Sequence, residues 1–412
     1  MQPAASIPSM LQMFQNEWDT VMLETFALKQ NLEKSRKELS HALYQHDAAC
    51  RVIARVMKER DDAKSVLKNQ GDAMDESSEP RELSQDVINR VTSTAEILSS
   101  NRRQRTISPN LKSPEEMTKF NPRSLNKEYQ LHHGKGIQSI DVLNSLVLTG
   151  GKDGSISVFD KQYNTVIGEL NSSSGPVNCA IFHNTPEFAF SSHDRDVKVW
   201  SLKDSTCVHT LDKLHLERVT GLSLHPSGYY FLTSSLDQTW SLCEIETGSY
   251  ITKSKNDDSG YSCVQFHPDG LLFGTGLQNN TIKIWDLKTQ QLATQLQDHT
   301  GEITSLSFSE NGYYLASSSN DKTVRVWDLR KLKTLQILEF DSPVTSVSFD
   351  YSGVYLGATC SDGTIGVYQS KVWTELIKTA TSGSPSSIRF GPNANFIAVG
   401  GSSDSTLRFL EW

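Results

Sequence analysis

"DHTGEITSLSFSENGYYLASSSNDKTVRVWD", residues 298 to 328, holds three short runs that alternate apolar and small polar side chains. ITSLSF (303–308), YYLASSS (313–319) and TVRVWD (323–328) have the period of half-buried strands. Between them, Glu310-Asn311-Gly312 and Asn320-Asp321-Lys322 supply turn residues, so the runs read as antiparallel neighbours. Working outward, the turn position held by Asp321 recurs at Asp153, Asp194, Asp237, Asn279, Asp362 and Asp404. The separations along the chain are 41, 43, 42, 42, 41 and 42 residues. A fixed period of that length marks a repeated supersecondary unit, so seven equivalent sheets are expected.

Repeats of this length with four strands and a terminal Trp-Asp resemble the WD40 family. Trp285-Asp286 and Trp327-Asp328 carry the dipeptide, with Phe159-Asp160 and Trp200-Ser201 as looser matches. Seven copies imply a seven-bladed β-propeller. The chain given stops at Trp412, after the third strand of the last repeat. The strand-like KEYQLHHG (127–134) stands where an outer strand would precede the first repeat. Glu128 to His132 is therefore expected to complete blade seven and leave no open closure edge.

His299, a serine among Ser317 to Ser319, Asp321 and Trp327 match the family's structural tetrad. A Ser-His-Asp set invites a catalytic reading, but a buried aspartate accepting from imidazole pins turn to strand, and the indole covers the bond. The set recurs in degraded form as His133, Asp153 and Phe159 in blade one, and as His215, Asp237 and Cys243 in blade three. Catalytic groups have no reason to recur in every blade. Asp194, Asp362 and Asp404 are assigned the same turn position, while Ser173, Asp257, Phe340 and Thr381 stand where the histidine would be. The loop faces and the central channel are left for binding proteins.

Upstream, apolar positions step by three and four through Leu11, Phe14, Trp18, Val21, Leu28, Leu32, Leu39, Ala42, His46, Ala49, Ile53 and Val56, with Thr25 and Ser35 in register. No proline or glycine falls between Leu11 and Gln70, so residues 11–69 read as a coiled-coil oligomerisation helix behind a short tail, 1–10. Met13, Met22, Leu23, Phe26, Leu43 and Val52 widen the stripe and favour three or more helices. Residues 70–126 read as a polar linker, a solvated tether with one short amphipathic helix from about Ser84 to Ser99 built on Leu83, Val87, Val91, Ala95 and Leu98. Within it, Arg102, Arg103 and Arg105 suggest a nuclear-import patch. Ser108-Pro109 and Ser113-Pro114 suggest phosphorylation. The propeller is assigned 127–412, giving an α plus all-β chain: a coiled-coil helix followed by a propeller.

The chemistry of the rest is mostly exclusion. Forty Lys plus Arg against 48 Asp plus Glu give a net charge of −8, which argues against broad capture of nucleic acid; any RNA role is expected to run through partners. The six cysteines are scattered, no run of about 18 apolar residues suggests a membrane span, and no P-loop, nucleophile elbow or HExxH occurs. No catalytic residue, cofactor or metal is expected. In ELSHALYQHDAACRVIAR (38–55), His41 and His46 lie about 140° apart around a helix and cannot share one metal. His46 and Cys50 could pair on one face, but the seam accounts for the stretch better, with His46 as a polar residue that sets register or oligomer state.

That stretch, with QNEWDTVMLETFALKQ, SLHPSGYYFLTSS, QFHPDGLLFGTG and the order helix, linker, propeller, resembles the pre-mRNA-processing factor 19 family. The resemblance implies a nuclear scaffold of a spliceosome-associated complex, with links to DNA repair. It implies a tetramer through the coiled coil, and a propeller that binds partner or substrate proteins. The family also acts as ubiquitin ligases through an N-terminal U-box that recruits the ubiquitin-conjugating enzyme. Only about ten residues precede the heptads here, so no U-box is expected in this chain. Two alternatives are a ubiquitin ligase whose U-box lies upstream, and a cytoplasmic coiled-coil and WD40 adaptor.

Overall fold

The computed structural model describes residues 83–104, 110–118, 128–172, 175–212, 214–255 and 259–411, together with Gln15, Trp18, Met22, Thr25 and Lys29. Those five positions are helical and exposed, and they belong to a unit separate from the one that begins at Ser78. Of the expected seam, Trp18 and Thr25 are described; Leu11, Phe14, Val21, Leu28, Leu32, Leu39, Ala42, His46, Ala49, Ile53 and Val56 lie outside the described residues.

Among the described residues of the second unit, seven four-stranded antiparallel sheets follow one another as the blades of a propeller. Blades one to six occupy residues 137–171, 177–211, 219–255, 261–296, 303–339 and 344–380, each a simple meander. Blade seven takes three strands from 385–411 and its outer strand from Glu128–Gln130, which pairs antiparallel with Thr406–Glu411 so that Glu128 faces Arg408. The strand is shorter than Glu128 to His132 because His132–Gly134 turns into a 3-10 helix, with both histidines at positive φ.

Apolar alternation builds the core. Second and third strands are buried on both faces between neighbouring blades, and most outer strands expose alternate residues. Each blade repeats one irregularity in its first strand. The register with the second strand slips by one residue, for example between Ile303 and Ser305. The residue skipped is polar every time: Gln138, Asn178, Thr220, Ser262, Thr304, Thr345 and Ser386. A bulge frees a side chain from the ladder and re-aims it. Here the freed hydroxyls reach the next blade: Thr220 Oγ1 donates to Tyr261 O at 2.7 Å, Thr304 to Val344 O at 2.7 Å, Thr345 to Pro385 O at 2.9 Å and Ser386 to Ile137 O at 2.7 Å. The last of these crosses the closure between blades seven and one.

The closure also has an ionic clasp. Arg408 is buried, with Nε and Nη2 donating to Glu128 Oε1 at 3.0 and 2.9 Å, and Nη2 also meets Asp404 Oδ2. Removing the buried Arg408 takes the cation from both Glu128 and Asp404. Arg408→Ala is expected to lower unfolding free energy by about 2 kcal/mol, read by urea denaturation, since Glu128 remains partly solvated. An unchanged midpoint would mean that the backbone ladder alone closes the ring.

Residues 83–104 and 110–118 are more than a tether. Helix α1, Gln85–Gln104, is longer than the expected segment and packs on blades three and four. Leu83 and Val91 enter a cluster with Tyr230, Trp240, Phe273 and Trp285, flanked by Val87 and Ile88. A second, four-residue helix α2, Pro114–Met117, inserts the fully buried Met117 among Tyr355, Ile365, Ile377 and Ile388 at blades six and seven. The helical periodicity of the segment is what the propeller buries.

Candidate functional site

Blade five brings its expected set together. His299 Nδ1 lies 2.7 Å from Asp321 Oδ2 and Nε2 lies 2.7 Å from Ser317 Oγ, which accepts from Trp327 Nε1 at 2.9 Å. Burial keeps His299 neutral, against the opposing pull of Asp321. Its Nδ1–H therefore donates to the carboxylate, and Ser317 donates to Nε2. Burial alone would raise the Asp321 carboxyl, but the bonds from His299 and Thr323 outweigh it and hold the pKa at about 2. Ser317 is fully buried and committed at both ends, so it has no path to a substrate.

The other blades solve the same problem with different atoms. In blade three, His215 Nδ1 approaches Asp237 Oδ2 at 3.2 Å, Nε2 approaches Thr233 Oγ1 at 2.8 Å, and Cys243 fills the indole's place. In blade one the histidine is His132 and not His133: its Nδ1 lies 3.3 Å from Asp153 Oδ1 and its Nε2 lies 2.8 Å from Thr149 Oγ1. In blade two, Asp194 is exposed beside Arg195 and takes no part. There His193, from the end of the second strand, sets Nε2 2.8 Å from Ser191 Oγ, the acceptor of Trp200 Nε1, and Nδ1 3.2 Å from Gly175 O. Asn279 in blade four accepts from Thr281, and Trp285 donates to Thr275. In blade six Asp362 accepts from Thr364 N, while Phe340 packs edge-on to Tyr368. In blade seven Asp404 pairs with Arg408. Ser173 and Asp257 lie outside the described residues.

A further set, absent from the sequence reading, links blades on the face of the loops between first and second strands. His183 Nε2 meets Gly228 O at 2.9 Å, His225 meets Gly270 O at 3.1 Å, and His267 meets Gly312 O at 2.9 Å. In His183 and His225, Nδ1 accepts from the backbone N–H two residues on, which assigns the proton to Nε2, whereas His267 Nδ1 also lies 2.8 Å from Asp269 Oδ1. The acceptor glycines have positive φ, and a Cβ at Gly270 would stand 2.4 Å from the His225 ring. The signal was present as His-Pro-Ser-Gly and His-Pro-Asp-Gly.

These devices leave a rigid ring around a channel of about 490 Å³ lined by the bulge residues and by Asp141, Gln265 and Arg389. Burial raises the Asp141 carboxyl, with Arg389, 3.7 Å away, opposing. Asp141 Oδ2 accepts from Phe182 N at 2.7 Å, so it is committed to holding blade two against blade one. Burial pushes the Cys263 and Cys360 thiols up to about 12, away from nucleophile chemistry. Among the described residues no group of three or more His, Cys, Asp or Glu could hold a metal ion, and no helix is long and apolar enough to cross a membrane. What the ring offers is a set of loops on a stiff platform, which suits protein recognition.

Comparison with known proteins separates the two halves. A family profile described as IFT122 first beta-propeller matches residues 140–411, and one described as Prp19/Pso4-like matches residues 3–70. Over 438 aligned residues the chain is 41% identical to pre-mRNA-processing factor 19 of Bos taurus and to that of Homo sapiens, covering 98% of this chain and 86% of each relative. The chain belongs to the pre-mRNA-processing factor 19 family. Its relative from Oryza sativa subsp. japonica is 38% identical over 299 residues, 64% of this chain and 56% of that protein. The propeller residues of this member of the pre-mRNA-processing factor 19 family match the profile of another propeller protein. The match over residues 3–70 covers the heptads and ELSHALYQHDAACRVIAR, the segment that carried the resemblance.

Proposed function

We propose that the chain is an oligomeric scaffold of a spliceosome-associated complex in the nucleus, with a coiled coil over residues 11–69 joining the copies and the propeller holding partner proteins. The observation that carries the splicing role is the in-order match, over 98% of the chain, to proteins named pre-mRNA-processing factor 19. The heptads from Leu11 to Val56 support self-association through three or more helices, since the apolar stripe is wider than a two-stranded seam, and the family resemblance implies four. Trp18 and Met22, both exposed within one chain, are positions a second copy would cover. The platform of short loops and the net charge of −8 favour proteins over nucleic acid as direct ligands.

Light scattering on the purified chain tests the assembly. The expected mass is four times that of one chain, and Leu28→Asp with Leu32→Asp should reduce it to one. Pull-down from nuclear extract should recover splicing proteins with the oligomer. A monomeric wild-type chain that recovers none of them would sink the proposal.

A further inference from the structure

The segment Lys112-Ser113-Pro114 joins two anchors. Lys112 O accepts from Tyr355 Oη at 2.6 Å, and Lys112 N donates to Asn393 O at 3.3 Å. Five residues beyond Lys112, Met117 is fully buried among Tyr355, Ile365 and Ile388. Between them Ser113 is exposed and extended (φ −74°, ψ 155°), with its hydroxyl at the surface of the strap. A serine in that conformation and followed by proline is the form in which Ser-Pro-directed kinases take their substrates.

The same hydroxyl holds the strap's last turn. Ser113 Oγ accepts from Glu116 N at 3.2 Å while Glu116 Oε2 accepts from Ser113 N at 2.9 Å, a reciprocal capping box. The box brings the Glu116 carboxylate against Ser113, and Glu115 adds a second negative charge in the same turn. A phosphoryl group carrying nearly two negative charges is repelled there by Glu116 and Glu115, and a four-residue helix has little dipole to offset that repulsion. Loss of the box frees the only helical turn between the Lys112 bonds and Met117.

We propose that Ser113 is a phosphorylation site and that its phosphate unlatches α2 from blades six and seven. In the modification Ser113 Oγ attacks the γ-phosphorus of ATP. The Oγ–P bond forms, the bond to the β,γ-bridging oxygen breaks, ADP leaves, and the hydroxyl proton passes to the kinase's base. The strap then detaches at one end while α1 stays on blades three and four, and the apolar seat of Met117 is uncovered.

The test treats the full chain with a Ser-Pro-directed kinase and ATP, maps the phosphate by mass spectrometry, and follows hydrogen exchange. Phosphate on Ser113 and about tenfold faster exchange of the Met117 and Thr118 amides are expected, with the blade interiors unchanged. The E115Q/E116Q chain keeps a capping-box partner without the charge, so it should be phosphorylated with little acceleration. No phosphate on Ser113 in the folded chain would overturn the site. Unchanged exchange after phosphorylation, or equal acceleration in E115Q/E116Q, would overturn the unlatching.

Discussion

Trp327→Ala is expected to lower unfolding free energy by about 4 kcal/mol, the range for emptying a large, fully packed aromatic site. The indole is 2% exposed and lies against Ile282, Ile284, Leu306, Phe308 and Leu315, so the blade cannot collapse around the gap. Its Nε1–H is also the donor that fixes Ser317 Oγ for His299, and losing it loosens the turn at Asp321. Trp327→Phe keeps most of the volume and should cost about half as much. Equilibrium urea unfolding measures both. A loss under about 1 kcal/mol for alanine would show that the tetrad of this blade does not hold it.

Acid should weaken the propeller through its buried histidines before the turn carboxylate of Asp321 is protonated. Burial holds His193 and His225 near pKa 4, with the bonds to Gly175 O and Gly270 O opposing only in part. Unfolded, both return to 6.5, so below that pH the unfolded state binds protons that the folded state refuses. Their contribution is complete above pH 6.5 and is lost as pH falls toward 4, on the order of 3 kcal/mol for each histidine. Asp321 acts lower on the scale. Its folded pKa of about 2 against 3.8 stabilises the fold above pH 3.8, and that contribution of about 2 kcal/mol disappears toward pH 2. Urea midpoints at pH 7.5, 5.5 and 4.5 should fall steadily. A flat profile across that window would mean that these rings are protonated in place.

What could be read from the sequence is what repeats. The period of about 42 residues located every blade, and the strand-like residues ahead of the first repeat were placed on blade seven, where Glu128–Gln130 now pairs. Single substitutions hid the rest. His132 and His133 are adjacent, and only the backbone, at φ 57° and 47°, decides which ring turns inward. Blade two lacks the loop histidine and takes an imidazole from its own strand, so counting from the turn gave Asp194 a role that the exposed side chain does not have. Arg408 replaces an imidazole with a guanidinium reaching both Asp404 and Glu128, a contact across 280 residues that no local pattern announces.

In the linker, the spacing of Leu83, Val87 and Val91 announced a helix, but not that blades three and four bury its apolar face. The inter-blade bonds were visible only as a polar residue in the second position of every first strand. They became meaningful once the bulge showed where those side chains go.

The role proposed for this chain is that of an assembled scaffold in splicing. Depleting it from nuclear extract and adding back purified chain tests that most directly. Splicing of a reporter pre-mRNA should stop on depletion and return with the wild-type chain, but not with Leu28→Asp and Leu32→Asp, which keep the propeller and break the seam. Splicing that persists after complete depletion, or that the seam variant restores as well as the wild type does, would contradict the account.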